Sequence, residues 1–539
     1  MHGRADSAAP TAAVIPVDAV PREYNFAVDI LERNLAAGRR DKVAFIDPSG
    51  HLTYGDLDRR ARTFAQALLA AGMRREERVL ICLTDTIDWP TAFLGAMLGG
   101  MVAVPLNTLL TEDDYRYVLG DSRARALVVS DVLYSKFESL IASGAFPHLS
   151  TVVVSGADAH GHVAFDALLD NAPAYSGWAP ARTTRDDVAF WLYTSGSTGK
   201  PKGAVHLHAD LRLTNDLYGG PFLGITEQDL CYSVAKLFFA YGLGNALTFP
   251  MSAGATTVLM PERPTPDSVA ALLKAHPVTI FYGVPTFYAA FLASPAAPAR
   301  AEITIRRCVS AGEALPAEVG RRWHERYGVD ILDGLGSTEM LHIFLSNRAG
   351  EVRYGTSGRP VPGYAVKIVD DDGAPVPRGE MGELLVRGPT SAIMYWNNRE
   401  QSRSTFLGEW TRSGDKYVED EDGFFVYCGR RDDMLKVSGL YVAPFEVEAA
   451  LQTCPDVLEA AVVAWLDADR LVKPKAFVVL KDAAKAGDAM ARTLQDHVKQ
   501  RLAPYKYPRW IEFRTELPKT ATGKIQRFRL RAEAPEQAP

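Results

Sequence analysis

Cysteine is scarce in this chain of 539 residues: the sequence has five, and no two of them form a CxxC pair. They are spread along the sequence, at Cys82, Cys231, Cys308, Cys428 and Cys454. A disulfide framework or a structural zinc site needs cysteines at short, regular spacings, so this pattern excludes both. Unpaired cysteines are typical of a reducing compartment, and the sequence therefore predicts a cytoplasmic protein.

A long apolar run is also absent. The most apolar stretch, residues 237–255, is interrupted by Asn245, Pro250 and three glycines. A membrane span needs about 20 apolar residues, so we interpret this stretch as a buried strand and loop and expect no membrane partner. Residues 1–24 are rich in Ala and Pro and lack the apolar centre of a secretory signal, which indicates a partly disordered arm.

Positive charge is not in excess. The chain has 59 Lys and Arg residues against 65 Asp and Glu residues, a formal net charge of -6. Proteins that bind nucleic acid or anionic membranes usually carry a basic surface, so we expect neither partner. Any phosphate group must therefore be bound by a local arrangement of residues.

The sequence does contain a regular alternation of strands and helices. Apolar runs at 78–85, 126–132 and 151–156 have the character of buried strands, and SVAALLKAH (268–276) has helical spacing. This alternation predicts an α/β fold with βα layers on largely parallel sheets. After Arg353, short alternating strands separated by Gly, Pro and Asp indicate a small β-rich subdomain.

We divide the chain accordingly into three parts. Residues 1–24 form the N-terminal arm, and residues 25–431 form a large domain whose β-rich subdomain takes about 354–431. Residues 432–539 form a small C-terminal α/β domain, which has its own helices and strands and is long enough to fold separately.

The segment WLYTSGSTGKPKG (191–203) is the most informative one. An apolar strand ending at Tyr193 runs into glycines, which let backbone N–H groups approach phosphate oxygens, and into hydroxyls and lysines. The candidate phosphate-binding residues are Thr194, Ser195, Gly196, Ser197, Thr198, Gly199 and Lys202. A Walker A loop would need a glycine at Thr194 and a Ser or Thr at Pro201, so this is a different loop. The alternative interpretation is a flexible surface turn.

This segment resembles the signature loop of the adenylate-forming superfamily, which includes acyl-CoA synthetases, firefly-type luciferases and nonribosomal adenylation domains. The other family motifs follow in the family's order: GLGSTE (334–339), RSGD (412–415), GRRDDMLKVSG (429–439) and PKTATGKIQR (518–527). Five motifs in this order make the resemblance specific, and it covers the chain after the N-terminal arm. It implies a large nucleotide-binding domain and a small mobile C-terminal domain.

The resemblance implies an ATP-dependent acid–CoA ligase, with ATP, Mg2+ and coenzyme A as its cofactors and co-substrates. It assigns Thr338 to the α-phosphate and Glu339 to Mg2+, for which a carboxylate is a suitable ligand. Asp415 and Arg430 would hold the ribose and the neighbouring phosphate. The other nucleotide-binding positions are Gly312, Glu313, Asp333, Gly334 and Gly439. Taken alone, a turn glutamate is usually solvated and an aspartate in RSGD is a turn former.

Lys524 is the residue that we expect to act on the reacting atoms. When a carboxylate oxygen attacks the α-phosphorus, two anions meet, and a bridging cation stabilises the transition state by about 3–4 kcal/mol. A solvated surface lysine is the alternative. By resemblance, Asp432 is the hinge about which the small domain rotates after pyrophosphate leaves. This rotation withdraws Lys524 and brings the loop at 436–441 to the pantetheine tunnel.

The acid is expected to bind in a pocket of apolar walls with few polar groups. Two segments flank its position, KLFFAYGLGN (236–245) and MLHIF (340–344). The candidate substrate residues are Phe239, Ala240, Tyr241, Gly336, His342 and Ile343. An ordinary aromatic core is the alternative interpretation. Together the two segments resemble the benzoate–CoA ligase branch, which implies benzoate, or a close relative such as 4-hydroxybenzoate, as the acid.

Other functions fit parts of the sequence. The acid could be another aryl or alkyl carboxylate, or the acyl acceptor a carrier protein; because no carrier segment follows residue 527, we expect a stand-alone ligase. A nucleotide-binding regulator would need only the binding half of the motifs, whereas Lys524, Glu339 and Asp415 are all retained. The expected partners are an aryl carboxylate, ATP and CoA. We also expect that the chain can form a homodimer and that a lysine acyltransferase can act on Lys524.

Overall fold

The computed structural model describes residues 17–172, 178–194, 200–430, 433–437, 440–467, 471–519 and 525–533. Within these ranges, a large part precedes residue 431 and a smaller part follows residue 432. None of the helices in the described residues is long and apolar enough to cross a membrane.

The strands of the large part are short and alternate with helices, as the sequence predicts. They are β1 (Val43–Asp47), β2 (Gly50–Thr53), β3 (Arg78–Cys82), β4 (Val102–Pro105), β5 (Ala126–Ser130), β6 (Thr151–Ser155), β7 (Val163–Ala164), β8 (Val188–Thr194), β9 (Lys202–Leu207), β10 (Leu230–Ser233), β11 (Thr256–Val258), β12 (Ile280–Gly283), β13 (Arg307–Ser310), β14 (Ile331–Gly336), β15 (Ile343–Ser346), β16 (Arg359–Pro360), β17 (Ala365–Val369), β18 (Met381–Arg387), β19 (Met394–Tyr395), β20 (Phe406–Leu407), β21 (Trp410–Glu419) and β22 (Phe425–Arg430).

The first helix of the large part precedes β1, and the others lie between the strands in the chain. They are α1 (Phe26–Ala36), α2 (Tyr54–Ala70), α3 (Asp88–Leu98), α4 (Glu112–Ser122), α5 (Glu138–Ala142), α6 (Phe165–Asp170), α7 (His208–Thr214), α8 (Ala240–Leu243), α9 (Phe249–Ala253), α10 (Pro266–Ala275), α11 (Pro285–Ala293), α12 (Ala317–Tyr327) and α13 (Arg399–Thr405).

Two large, mostly parallel sheets form the body of the described large part. One has eight strands in the order β19-β9-β8-β4-β3-β5-β6-β7, and the other has nine in the order β16-β15-β14-β13-β12-β10-β11-β1-β2. Helices cover such sheets on both faces, so their central strands are apolar throughout; every residue of β5 is buried. This arrangement confirms the predicted α/β fold with βα layers.

The apolar stretch at residues 237–255 is helical, and the predicted strand and loop are wrong. Helix α8 begins at Ala240, passes through a π-helical turn at Gly244–Thr248 and continues as α9 to Ala253. A buried helix is apolar all round, so periodicity alone does not distinguish it from a buried strand. The glycines permit close packing: a Cβ on Gly242 would lie 1.9 Å from a carbonyl oxygen of the preceding turn.

The region predicted to be β-rich forms an antiparallel sheet in the order β17-β18-β21-β20, with β22 paired to β21. Two short strands of the same region leave it and join the large sheets. β16 pairs with β15 at the edge of the nine-stranded sheet, and β19 pairs with β9 at the edge of the eight-stranded sheet. The β-rich region is therefore tied to both sheets that carry candidate site residues.

The C-terminal part is a small α/β unit. Its elements in the described residues are β23 (Leu435–Val437), β24 (Leu440–Val442), α14 (Pro444–Gln452), β25 (Val457–Leu466), β26 (Val472–Leu480), α15 (Asp488–Lys499), β27 (Trp510–Phe513) and α16 (Arg527–Ala532). β25, β26 and β27 form a three-stranded sheet. The Arg527 guanidinium is 2.6 Å from the Glu448 carboxylate, and Arg531 is 2.8 Å from Asp433. These ion pairs fasten α16 to the first elements of the unit.

Candidate active site

The predicted phosphate loop connects two antiparallel strands in the chain. β8 ends at Thr194 and β9 begins at Lys202, and these two residues face each other in the pair. Five predicted loop residues lie outside the described residues: Ser195, Gly196, Ser197, Thr198 and Gly199. The Lys202 ammonium group is 4.4 Å from the centre of the Tyr395 ring, a distance at which a cation and an aromatic face attract each other.

The Thr338–Glu339 turn lies beside the same tyrosine. The Tyr395 hydroxyl donates to Glu339 Oε1 at 2.5 Å, and burial together with this carboxylate raises the pKa of Tyr395. The phenol therefore stays protonated and continues to donate. Lys202, Tyr395 and Glu339 form a continuous chain of contacts from the phosphate loop to the predicted Mg2+ ligand.

Asp415 and Arg430 lie opposite each other on β21 and β22. Arg430 Nη1 is 3.4 Å from Asp415 Oδ1, and this carboxylate raises the pKa of Arg430. Asp415 is buried, and Gly414 just before it has a left-handed φ of +74°. The two paired strands present a carboxylate and a guanidinium side by side, which suits two hydroxyls and a nearby phosphate.

The predicted adenine segments meet where β13 and β14 end. Gly312 has a left-handed φ of +95°, and Glu313 accepts a hydrogen bond from Thr286 Oγ1 at 3.3 Å. Asp333 stands directly before Gly334; its Oδ2 accepts a backbone N–H at 3.3 Å, whereas its Oδ1 has no partner among the described residues. Burial raises the pKa of Asp333 to about 8. A buried carboxyl oxygen without a protein partner can accept a hydrogen bond from a bound ligand or from a water molecule.

The two segments predicted to bind the acid meet each other. The ring centres of Tyr241 and His342 are 5.5 Å apart, and Ala240, Leu341 and His342 line one narrow gap that is too tight to admit a water molecule. The rest of the lining is Leu211, Thr214, Leu243, Gly244 and Thr248. Most of these groups are apolar and a few are polar, as expected beside an aryl ring, but the side chains would have to move apart to admit one.

His342 is buried between aromatic rings. Its Nε2 is 3.2 Å from Asn245 Oδ1, and its Nδ1 has no hydrogen-bond partner in the described part of the chain. The Phe249 ring meets the imidazole edge-on at 4.6 Å. Burial lowers the pKa of His342 to about 3, so the ring is neutral near pH 7. Because Nε2 donates to an amide oxygen, Nδ1 is left as an acceptor.

The remaining candidate substrate residues have different surroundings. Phe239 is half-buried beside Phe238 at the start of α8, and Ile343 is fully buried at the start of β15. A Cβ on Gly336 would lie 2.7 Å from the carbonyl oxygen of His342. This glycine therefore lets β14 and β15 approach each other.

Three further predicted residues lie outside the described residues: Asp432, Gly439 and Lys524. Their roles stay predictions. The described chain reaches them closely on both sides, since β22 ends at Arg430 and α16 begins at Arg527.

Sequence reasoning missed several residues of the site. Tyr395 follows Glu339 by 56 residues, and Asn245 precedes His342 by 97 residues, so no local spacing rule connects them. His206 is 2.8 Å from the Thr338 carbonyl oxygen. The only sequence signal for it is its position on the strand that follows the phosphate loop.

The described residues hold no cluster of three or more metal-ligating side chains. A site with a single carboxylate still fits Mg2+, which is often held by one or two carboxylates together with substrate phosphates. Glu339 supplies a hard oxygen ligand, and Tyr395 takes only its Oε1. The donor set therefore fits a cation that arrives with ATP.

The chain belongs to the AMP-binding enzyme family. The model of the family's AMP-binding domain matches residues 31–396, and the model of its C-terminal domain matches residues 446–524. This finding confirms the predicted superfamily and the class of enzyme, an AMP-forming acid–thiol ligase.

Several characterised proteins are similar over nearly the whole chain. The chain is 56% identical to the benzoate–CoA ligase of Thauera aromatica, across 96% of this chain and 97% of that protein. A crystal structure of a benzoate CoA ligase from Burkholderia xenovorans LB400 matches with a TM-score of 0.88 at 53% identity, across 94% of this chain and 100% of that one. The anthranilate CoA ligase AuaEII in complex with anthranoyl-AMP matches with a TM-score of 0.91 at 44% identity, across 96% and 98%.

Proposed function

We propose that this enzyme is a benzoate–CoA ligase, which converts benzoate, ATP and CoA to benzoyl-CoA, AMP and diphosphate. The observation that carries the proposal is the junction of two parts of the site. Ala240, Leu341 and His342 meet across a narrow gap, and the Leu341 N–H donates to the carbonyl oxygen of Thr338 in the turn that carries Thr338 and Glu339. An acid bound beside these two segments would therefore lie close to the turn that is predicted to contact the phosphates. The likeness to two benzoate–CoA ligases supports this choice of acid.

In the first step, a carboxylate oxygen of benzoate attacks the α-phosphorus of ATP. The carboxylate oxygen becomes bonded to the α-phosphorus. The bond from the α-phosphorus to the oxygen between the α- and β-phosphates breaks, and diphosphate leaves with that electron pair. Thr338 donates its hydroxyl to the α-phosphate, and Lys524 stabilises the charge that builds on both reacting anions. Glu339 holds Mg2+, which when bound neutralises phosphate charge. Asp415 and Arg430 hold the ribose and the adjacent phosphate.

In the second step, the thiolate of CoA attacks the carbonyl carbon of benzoyl-AMP. The carbon–sulfur bond forms, the carbon–oxygen bond to AMP breaks, and AMP leaves with the electron pair. The thiol proton passes to solvent. We infer that rotation of residues 432–539 about Asp432 withdraws Lys524 and admits the pantetheine arm to the same site. The division at residue 432 is supported by the compact α/β unit that begins there.

An acid panel tests the proposed substrate. Benzoate, 4-hydroxybenzoate, anthranilate, cinnamate and octanoate are each assayed for acid-dependent exchange of labelled diphosphate into ATP and for CoA thioester. Benzoate is expected to give the highest kcat/KM in both assays. Exchange without thioester would support a carrier-linked adenylation enzyme. The absence of exchange with every acid would support a nucleotide-binding regulator.

We also propose that a lysine acyltransferase modifies Lys524, because acylation removes the charge that the first step needs. The motif Pro518-x4-Gly523-Lys524 supports this. Intact-protein mass spectra from cells grown on aromatic acids and from starved cells test it. Lys524 unmodified under both conditions would contradict it.

A further inference from the structure

The turn that carries Thr338 and Glu339 is held at consecutive backbone carbonyl groups. His206 Nε2 lies 2.8 Å from the Thr338 carbonyl oxygen. The backbone N–H of Ala392 donates to the Glu339 carbonyl oxygen at 2.7 Å, and the Thr390 hydroxyl donates to the next carbonyl oxygen at 2.8 Å. Of these three donors, only the imidazole belongs to an ionisable side chain. Because these carbonyl groups are fixed, the backbone from which the side chains of the turn extend is fixed as well.

His206 is itself fixed from both sides. Its side chain is fully buried, and its Nδ1 is 2.9 Å from Asp210 Oδ2, which also accepts the backbone N–H of Leu207 at 3.0 Å. A carbonyl oxygen only accepts, so Nε2 must carry the hydrogen that reaches Thr338. The Phe190 ring stacks on the imidazole with centres 5.3 Å apart. The imidazole therefore has one orientation, set by Asp210.

Strand β9 connects this histidine to the phosphate loop. His206 follows Lys202 by four residues on β9, and β19 pairs with β9 through the register of Tyr395 and Ala204. Tyr395 in turn contacts both the Lys202 ammonium and the Glu339 carboxylate. One pair of short strands thus sets the distance between the phosphate loop and the predicted Mg2+ ligand.

The backbone after the turn is strained, as expected of a segment held by many contacts. Leu341 is buried and has a left-handed φ of +67°. For a residue other than glycine this conformation costs about 1–2 kcal/mol and persists only where surrounding contacts impose it. Its N–H donates to the Thr338 carbonyl oxygen at 3.1 Å, so that oxygen accepts two hydrogen bonds. Loss of the His206 side chain would leave the hydrogen bond from Leu341 to Thr338 in place but would allow the whole turn to change position.

We propose that His206 is a positioning residue for the first half-reaction. Oriented by Asp210, it fixes the Thr338 carbonyl group. The Thr338 hydroxyl and the Glu339 carboxylate are thereby held in the positions from which they contact the phosphates. The inference rests on the proposed function. The second half-reaction uses benzoyl-AMP that is already formed, so it depends much less on the positions of the Thr338 and Glu339 side chains. The signature is therefore a loss confined to adenylation.

Three variants test the proposal. His206→Leu removes both hydrogen bonds, His206→Gln keeps a donor that reaches the Thr338 carbonyl, and Asp210→Asn keeps the acceptor but removes its charge. In His206→Leu, kcat/KM of MgATP for benzoate-dependent diphosphate exchange is expected to fall about 10- to 100-fold. His206→Gln should recover to within about fivefold of wild type, and Asp210→Asn should lie between the two. Conversion of supplied benzoyl-AMP and CoA to thioester should stay within about twofold in all three.

His208 offers a matched control. It is a second buried histidine, two residues farther along the chain, and its Nδ1 accepts the Phe26 backbone N–H at 3.2 Å. His208→Gln should lower the melting temperature without separating the two half-reactions. If His206→Leu does not fold, the glutamine and asparagine variants decide the question, because both keep a polar group at the position they change.

Equal losses in both half-reactions, or no loss of exchange in any of the three variants, would overturn the proposed role of His206. A wild-type enzyme that converts benzoyl-AMP to thioester but never exchanges diphosphate would instead overturn the proposed function, and this inference with it. Loss of exchange in His208→Gln equal to that in His206→Leu would also contradict the role, because a general packing defect would then explain both.

Discussion

His342 shows how burial sets the chemistry of a single residue. Burial lowers the pKa of His342 and keeps its imidazole neutral, and the bond from Nε2 to Asn245 leaves Nδ1 without a partner in the described residues. If the acid binds beside it, as predicted, a neutral imidazole can limit the length of the acid or accept a hydrogen bond from a ring substituent. Acid selectivity should therefore depend on this residue and on its neighbour Ile343.

His342→Ala and Ile343→Ala are each expected to raise kcat/KM for 4-substituted benzoates relative to benzoate, by about tenfold, because truncation makes room for a ring substituent. Benzoate, 4-hydroxybenzoate and 4-fluorobenzoate are compared with each variant. Leu345→Ala is the control, since Leu345 is equally buried on β15 but lies outside the segment 340–344 that is predicted to bind the acid. Identical selectivity in all variants would remove His342 and Ile343 from the acid pocket.

Asp333 should make the stability of the enzyme depend on pH. Its folded-state pKa of about 8 lies above its ordinary value of 3.8, because the charged form is disfavoured by burial. The stability contributed by the neutral carboxyl is fully present below about pH 4 and is lost as the pH rises through 8. Asp333→Asn does not ionise, so it should lack this loss, which amounts to at most about 1.4 kcal/mol per pH unit.

Denaturant unfolding of the ligand-free enzyme at pH 5, 6, 7 and 8 measures this effect. The free energy of unfolding of wild type, minus that of Asp333→Asn, is expected to decrease steadily across the series. A constant difference would mean that Asp333 ionises in the folded enzyme much as it does in the unfolded chain.

At the scale of the elements, the helical segment 240–253 shows both the reach and the limit of sequence reasoning. The strands β3, β5 and β6 could be predicted because parallel strands buried on both faces are short, apolar and separated by helices. The segment 240–253 has the same apolar character but is a buried helix. Only its packing reveals this, through glycines that face a neighbouring backbone.

Gly242→Ala should disrupt this helix. The added Cβ would lie 1.9 Å from a backbone carbonyl oxygen, so the start of the helix must move, at a cost of about 1–3 kcal/mol or more. Thermal unfolding and KM for benzoate should both deteriorate. Gly120→Ala is the control: Gly120 lies in α4 with room around it, and alanine there should be neutral or slightly stabilising. A Gly242 variant as stable as wild type would contradict the packing argument.

Site residues could be predicted from the sequence where the interacting residues stand close together in one short motif. Asp415, Arg430, Thr338 and Glu339 stand in short motifs whose residue types suit their ligands, and the structure places each pair together. His206 and Tyr395 act on residues more than fifty positions away, so only tertiary structure reveals them. The family resemblance supplied the order of the motifs, but it did not supply the contacts among them.

At the scale of the whole molecule, the proposal requires two half-reactions in one site. Lys524→Ala should lower benzoyl-AMP formation by about 100-fold or more, while supplied benzoyl-AMP and CoA should still give thioester at nearly the wild-type rate. Lys519→Ala is the control in the same segment, since Lys519 pairs with Glu459 at 2.5 Å. Equal loss of both half-reactions in the Lys524 variant would contradict the proposed rotation about Asp432.

Phosphorus NMR of the complete reaction tests the central claim most directly. The purified enzyme is given Mg2+, ATP, benzoate and CoA, and the phosphorus products are followed as the thioester forms. We expect AMP and diphosphate in equal amounts, one of each for every benzoyl-CoA, and none of either without an acid. The appearance of ADP and inorganic phosphate, or intact ATP with every acid tried, would show that the site does not form an acyl-adenylate.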